Sequence, residues 1–85
     1  MAAKSLVLEK AAKKEFTKLP LHIHRKLLQA LRKIKEYPLL GIKLHGELGN
    51  YYKFRVGDYR IVYSFNDKES VIYVVKIEHR QGVYK

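Results

Sequence analysis

The chain has 85 residues with 18 Lys and Arg against 8 Asp and Glu, a formal charge of 18 − 8 = +10 at pH 7, and it has room for one small core and no second domain. Hydrophobic residues at 47% and aromatics at 12% exclude a disordered basic tail, which could not bury enough apolar surface to offset chain entropy. Cysteine is absent, which excludes a disulfide scaffold, thiol catalysis and Cys-ligated zinc. Residues 1–48 hold 11 basic and 4 acidic side chains (+7) and residues 49–85 hold 7 and 4 (+3). The charge is therefore spread over a single domain, 1–85, and its field favours phosphate-rich or acidic partners over any particular chemistry. A basic protein that is merely soluble is the plainer alternative.

In chain order, Lys4 to Glu9 reads as a short strand. Its apolar run Leu6-Val7-Leu8 is interrupted by Glu9 and Lys10, too early for a secretory signal or a membrane span, so a cytoplasmic protein without membrane contact is expected. The period then becomes helical: Ala12, Phe16 and Leu19 share one stripe, with Lys10, Lys13, Lys14 and Lys18 on the other side. Leu19-Pro20 breaks this helix, and Pro20 is well placed to open the next. The second helix runs to about Tyr37, where Pro38 stops it. Its stripe is Ile23, Leu27, Leu31 and Ile34, widened by Leu28, with Arg25, Lys26, Arg32, Lys33 and Lys35 opposite.

Leu39 to Asn50 contains three glycines and reads as a loop with a short extended piece at Ile42 to Leu44. The remainder is rich in Val, Ile, Phe and Tyr, six of the seven tyrosines following residue 50, and is broken at Gly57-Asp58 and at Asn66 to Ser70. Three consecutive antiparallel strands are predicted. The fold class is α+β: two N-terminal helices on one face of a mostly antiparallel sheet of about four strands, in the order β-α-α-β-β-β.

A two-residue Gly-Asp turn pairs Val56 with Tyr59, Arg55 with Arg60, Phe54 with Ile61, Lys53 with Val62 and Tyr52 with Tyr63. One face then carries Tyr52, Phe54, Val56, Tyr59, Ile61 and Tyr63 for the helices, and the other carries Tyr51, Lys53, Arg55, Arg60, Val62 and Ser64. The helix-free face is cationic. Arg55 opposite Arg60 costs stability through like-charge repulsion, which a bound anion would relieve; the competing reading is an ordinary solvated sheet face. With Asn66 to Ser70 all in the loop, Phe65 pairs with Val71 and Arg60 with Lys76, placing Lys76 and Arg80 on the cationic face. This register is adopted because a slip of one would bury an unpaired Arg80.

The run Tyr52-Lys53-Phe54-Arg55-Val56-Gly57-Asp58-Tyr59-Arg60-Ile61-Val62-Tyr63, followed by His79-Arg80 and Val83-Tyr84 and preceded by Lys43-Leu44-His45-Gly46, resembles the RelE toxins, the mRNA interferase branch of the RelE/ParE superfamily. The resemblance implies a toxin of a type II toxin–antitoxin pair. It implies a metal-independent endoribonuclease that enters the ribosomal A site, cleaves the mRNA there by 2′-OH attack on the adjacent phosphate, and so inhibits translation. On this resemblance Lys53, Arg55, Arg60, Arg80 and Tyr84 are the candidate catalytic residues; Tyr51 and Lys76, placed on the same face by the register, are candidate RNA-binding neighbours. Position 55 is Arg where the family often has Lys. The sequence ends at Lys85 without the C-terminal helix of many relatives, a departure that puts in doubt regulation through displacement of that helix. An antitoxin, the ribosome and mRNA are the implied partners, and no cofactor or metal is expected.

A face made mainly of cations would work by preorganised charge and substrate orientation. Arg55 and Arg60 would clamp phosphate oxygens and Tyr84 would stack on a base or orient the 2′-OH. Lys53 would be the general base, since neighbouring cations favour an uncharged amine. Arg80 would stabilise the transition state or assist the leaving oxygen, although Arg is a poor proton donor. His79 alternates away from Arg80 and is read as packed beneath the sheet, with acid–base chemistry as its functional alternative. His22 and His24, two apart on a helix, cannot share a metal there, and His45 is isolated. Glu78 and Glu47 read as surface ion pairs of little worth. Two other functions fit: a ParE-like toxin that inhibits DNA gyrase by binding, and a non-catalytic RNA-binding domain.

Overall fold

The computed structural model describes residues 2–44 and 50–79. The order is strand β1 (Ser5–Leu8), helices α1 (Lys10–Thr17) and α2 (Leu21–Glu36), then strands β2 (Ile42–Lys43), β3 (Tyr52–Val56), β4 (Tyr59–Asn66) and β5 (Val71–His79). Pro20 caps the start of α2 in an extended conformation and Tyr37 ends it just before Pro38, as the fixed φ and missing N–H of proline require. The strands form one sheet in the order β1-β5-β4-β3-β2. β1 runs parallel to β5 and the other pairs are antiparallel. The sheet thus has five strands rather than about four, because the extended piece at Ile42 pairs with Lys53 and adds a short edge.

Both helices cover one face. The core joins Ala12 of α1 and Leu27, Ala30, Leu31 and Ile34 of α2 to Ile61, Tyr63, Ile72, Val74 and Ile77 of the sheet. Burying side chains such as Leu27, Ile34 and Ile61 stabilises the fold by about 1.5–3 kcal/mol each. Leu28, expected to widen the stripe, is 43% exposed. A helix advances about 100° per residue, which carries Leu28 off the stripe centred on Leu27, and Ala30 fills the contact instead.

The β3–β4 hairpin has the expected register at all five pairs, from Val56 with Tyr59 to Tyr52 with Tyr63. Gly57 takes φ +59°, the left-handed conformation that a tight hairpin turn demands of its first central residue. The β4–β5 register differs from expectation. Phe65 pairs with Ile72 rather than Val71, and Arg60 with Glu78 rather than Lys76. Two local events cause this. Asn66 stays in the strand opposite Val71 and its Oδ1 accepts the Glu69 N–H at 3.0 Å, leaving a four-residue turn that closes with Ser70 at φ 60°. A β-bulge then falls between Val62 and Tyr63, which face Lys76 and Val74, so Val75 is the additional residue on β5. The bulge restores the parity that the turn changed, and Lys76 still comes to the helix-free face.

Tyr63 ties the loop after α2 to the sheet. Its ring is fully buried; its hydroxyl donates to the Pro38 carbonyl at 2.9 Å and accepts the Gly41 N–H at 2.9 Å. Burial pushes the phenol above its ordinary value of 10.0, and the Gly41 hydrogen bond acts in the opposite direction. A Cβ at Gly41 would lie 2.8 Å from both the Lys53 carbonyl oxygen and the Tyr63 hydroxyl, so only glycine lets the chain pass this close. The consequence is positional: β2 is held against β3, and Leu44, whose N–H donates to the Tyr51 carbonyl at 2.9 Å, is brought over the helix-free face.

Candidate functional site

On that face a cleft of about 420 Å³ is lined by Leu44, Tyr51, Lys53, Arg60, Val62, Val75, Lys76 and Glu78. Strand alternation supplies it from three neighbours: Lys53 on β3, Arg60 and Val62 on β4, and Lys76 and Glu78 on β5, with Val75 raised beside them by the bulge. Val62, Val75 and Leu44 give an apolar lining from which three cations and one carboxylate project, a formal charge of 3 − 1 = +2. Anions are attracted to such a site, and its apolar walls strengthen that attraction relative to open solvent.

Four residues expected on the site, Tyr51, Lys53, Arg60 and Lys76, converge in this cleft. Arg55 does not line it. Although Arg55 is the Cα partner of Arg60, its Nε donates to the Gly57 carbonyl at 3.2 Å, and it borders a separate groove with Lys26, Gln29 and Lys33 of α2. The like-charge pair is thus separated by turning the two guanidinium groups toward different acceptors. Arg80 and Tyr84 lie outside the described residues, as do His45 and Glu47.

Glu78, read from the sequence as a surface ion pair of little worth, is ion-paired, but with two cations of the cleft. Its Oε1 accepts the Arg60 Nε–H at 3.2 Å, and its Oε2 lies 3.7 Å from Lys76 Nζ. It is half-buried within the cleft rather than a peripheral surface pair. The signal that would have found it is the cross-strand pairing of positions 60 and 78, which depends on the bulge. His79, expected beneath the sheet, is exposed and stacks on the Tyr59 ring at 4.6 Å and 18°. Tyr59 is its cross-strand partner, and the Tyr59 ring packs against the core cluster while His79 lies on its outer side. Among the described residues no three His, Asp or Glu side chains are grouped to hold a metal ion, and no helix is long and apolar enough to cross a membrane.

A two-helix layer on a five-stranded mixed sheet, with a basic cleft on the open side, defines a small α+β protein suited to an anionic partner. The model of the ParE toxins of type II toxin–antitoxin systems (parDE) matches residues 6–84, and the chain belongs to this family, within the RelE/ParE superfamily of toxins. It is 28% identical over 76 residues to toxin RelG of Mycobacterium tuberculosis, covering 87% of each chain. The toxin–antitoxin complex RelBE2 of Mycobacterium tuberculosis contains a chain that matches it with a TM-score of 0.84 at 26% identity, 94% of each chain being covered. The archaeal RelE–RelB complex of Pyrococcus horikoshii contains another, with a TM-score of 0.77 at 31% identity over 94% of this chain and 97% of that one.

Proposed function

We propose that this toxin is a ribosome-dependent endoribonuclease that cuts mRNA in the A site, with the cleft as its phosphate-binding centre. The observation that carries the reading is the convergence of Lys53, Arg60 and Lys76 beside Tyr51 on the helix-free face of this fold. In the reaction the 2′-oxygen of one nucleotide attacks the adjacent phosphorus, the bond from phosphorus to the 5′-oxygen breaks, the departing 5′-oxygen takes a proton from water, and a 2′,3′-cyclic phosphate and a 5′-hydroxyl result. Lys53 accepts the 2′-OH proton, while Arg60 and Lys76 hold the non-bridging oxygens as negative charge builds. Tyr51 offers a ring against which a base can stack. By the family resemblance, Arg80 is given the role of stabilising the transition state and Tyr84 that of orienting the 2′-OH. Charge stabilisation is assigned to these cations, so the scheme calls for no metal. The partner that restrains the toxin is a cognate antitoxin protein masking the basic face; the RelE chains of the matched complexes are each seen with a RelB antitoxin.

The test is in vitro translation with primer extension on the mRNA. Wild type should produce cuts within translated codons, and Arg60→Ala or Arg80→Ala should reduce them by about 10²–10³-fold, as expected for losing one charge-stabilising donor. Intact mRNA with all three would overturn the reading. The family description, a ParE toxin, favours one second reading, in which the chain inhibits DNA gyrase by binding. That reading predicts loss of DNA supercoiling by gyrase with the mRNA left uncut.

A further inference from the structure

The cationic cleft contains an anion of its own. Glu78 stands directly across from Arg60 in the β4–β5 ladder. Its carboxylate spans Arg60 Nε at 3.2 Å and Lys76 Nζ at 3.7 Å, with the Arg60 and Glu78 side chains 28% and 31% exposed. A guanidinium has five N–H donors in a rigid plane. An acceptor on Nε fixes that plane and leaves the four Nη hydrogens, two of which form the outer edge of the fork, unengaged by this pair. Phosphate can be gripped bidentately through that edge. The same carboxylate lowers the formal charge of the cleft from +3 to +2, so it weakens the general attraction for a polyanion while it orients one particular donor.

We infer that Glu78 is a positioning residue of the RNA site: it clamps Arg60 through Nε so that the Nη edge is presented to the scissile phosphate, at a cost in ground-state affinity. The inference rests on the nuclease reading and extends it to a group outside the family resemblance. Its two effects have opposite signs in binding and in rate. Removing the carboxylate strengthens RNA binding, because a repulsive charge beside the phosphate is gone. It also slows cleavage, because Arg60 then samples many orientations, and a displacement of about 1 Å in a catalytic group costs up to about 10²-fold. A side chain that merely held β4 to β5 would weaken binding and rate together.

The experiment is single-turnover cleavage of mRNA on programmed ribosomes at fixed ionic strength, titrating wild type, Glu78→Ala and Glu78→Gln to obtain the half-saturating toxin concentration and the maximal rate separately. Glu78→Ala should saturate at about fivefold lower concentration, the order expected for one unit charge at contact distance in water, and cleave about 10²-fold more slowly. Glu78→Gln keeps a carbonyl oxygen for Arg60 Nε but not the charge; it should share the tighter binding and retain a rate within about threefold of wild type, as a conservative rescue of orientation. The inference is overturned if Glu78→Ala cleaves at the wild-type rate. It is equally overturned if the two variants lose affinity and rate in parallel. Wild type supplies the separating control: absence of cleavage by wild type sinks the nuclease reading itself, whereas active wild type with an unsplit Glu78→Ala sinks only the role of Glu78.

Discussion

Tyr63→Phe removes one oxygen atom and leaves two groups without their partner. The Pro38 carbonyl and the Gly41 N–H each lie 2.9 Å from that hydroxyl, while the ring itself stays buried and stacked on Tyr52 at 5.4 Å. A buried polar group left unpaired costs about 1–3 kcal/mol. Pro38 is buried but Gly41 only half so, and water can recover part of the second loss, which sets the expected destabilisation at about 2 kcal/mol. For a small chain with a urea m-value of about 1–1.5 kcal/mol/M the unfolding midpoint should fall by about 1.3–2 M. Tyr73→Phe is the control: its exposed hydroxyl donates only to Glu69 Oε1, and its midpoint should not move measurably. The pH dependence adds a second arm. Because burial raises the folded-state value of Tyr63 above 10.0, the folded chain retains that proton where the unfolded chain releases it. The associated stability is complete below about pH 10 and is lost as pH climbs through the folded-state value. Tyr63→Phe lacks this loss, so the gap between wild type and variant should narrow above about pH 10. A midpoint shift under about 0.5 M, or a gap that widens in alkali, would refute the reasoning.

Two further substitutions probe the site and the core. Arg55→Ala should leave mRNA cleavage within about fivefold of wild type, since an exposed charge outside the cleft contributes no more than about 1 kcal/mol; in the primer-extension assay a loss equal to that of Arg60→Ala would show that the cleft is drawn too narrowly. Leu27→Ala, at a fully buried position, should cost about 2–5 kcal/mol in urea unfolding, and Leu28→Ala within about 0.5 kcal/mol. Comparable costs for the two would mean that the core-facing stripe of α2 is wrongly placed.

Much of the site was legible because the information that builds it is local. The Gly57-Asp58 turn leaves one register open to β3 and β4, and strand alternation then separates Lys53 and Arg60 from Phe54 and Ile61 without reference to the rest of the chain. Helical periodicity and the two prolines likewise bound α2 and nominate Leu27, Leu31 and Ile34 for the core.

The position of β5 was a tertiary decision. Asn66 could end a strand or begin a turn, and a bulge at Val75 shifts every pair beyond it. Neither choice has a local composition signal; each is settled by which residues of β5 best fill the space under α1 and α2, where Ile72, Val74 and Ile77 are buried. That packing sets Glu78 across from Arg60. Side-chain direction was beyond the sequence for the same reason: Arg55 and Arg60 are cross-strand neighbours by register, yet the acceptors that part them, the Gly57 carbonyl and Glu78, are chosen by three-dimensional proximity. Periodicity determines which face a residue joins; only the packed sheet determines which partner it meets there.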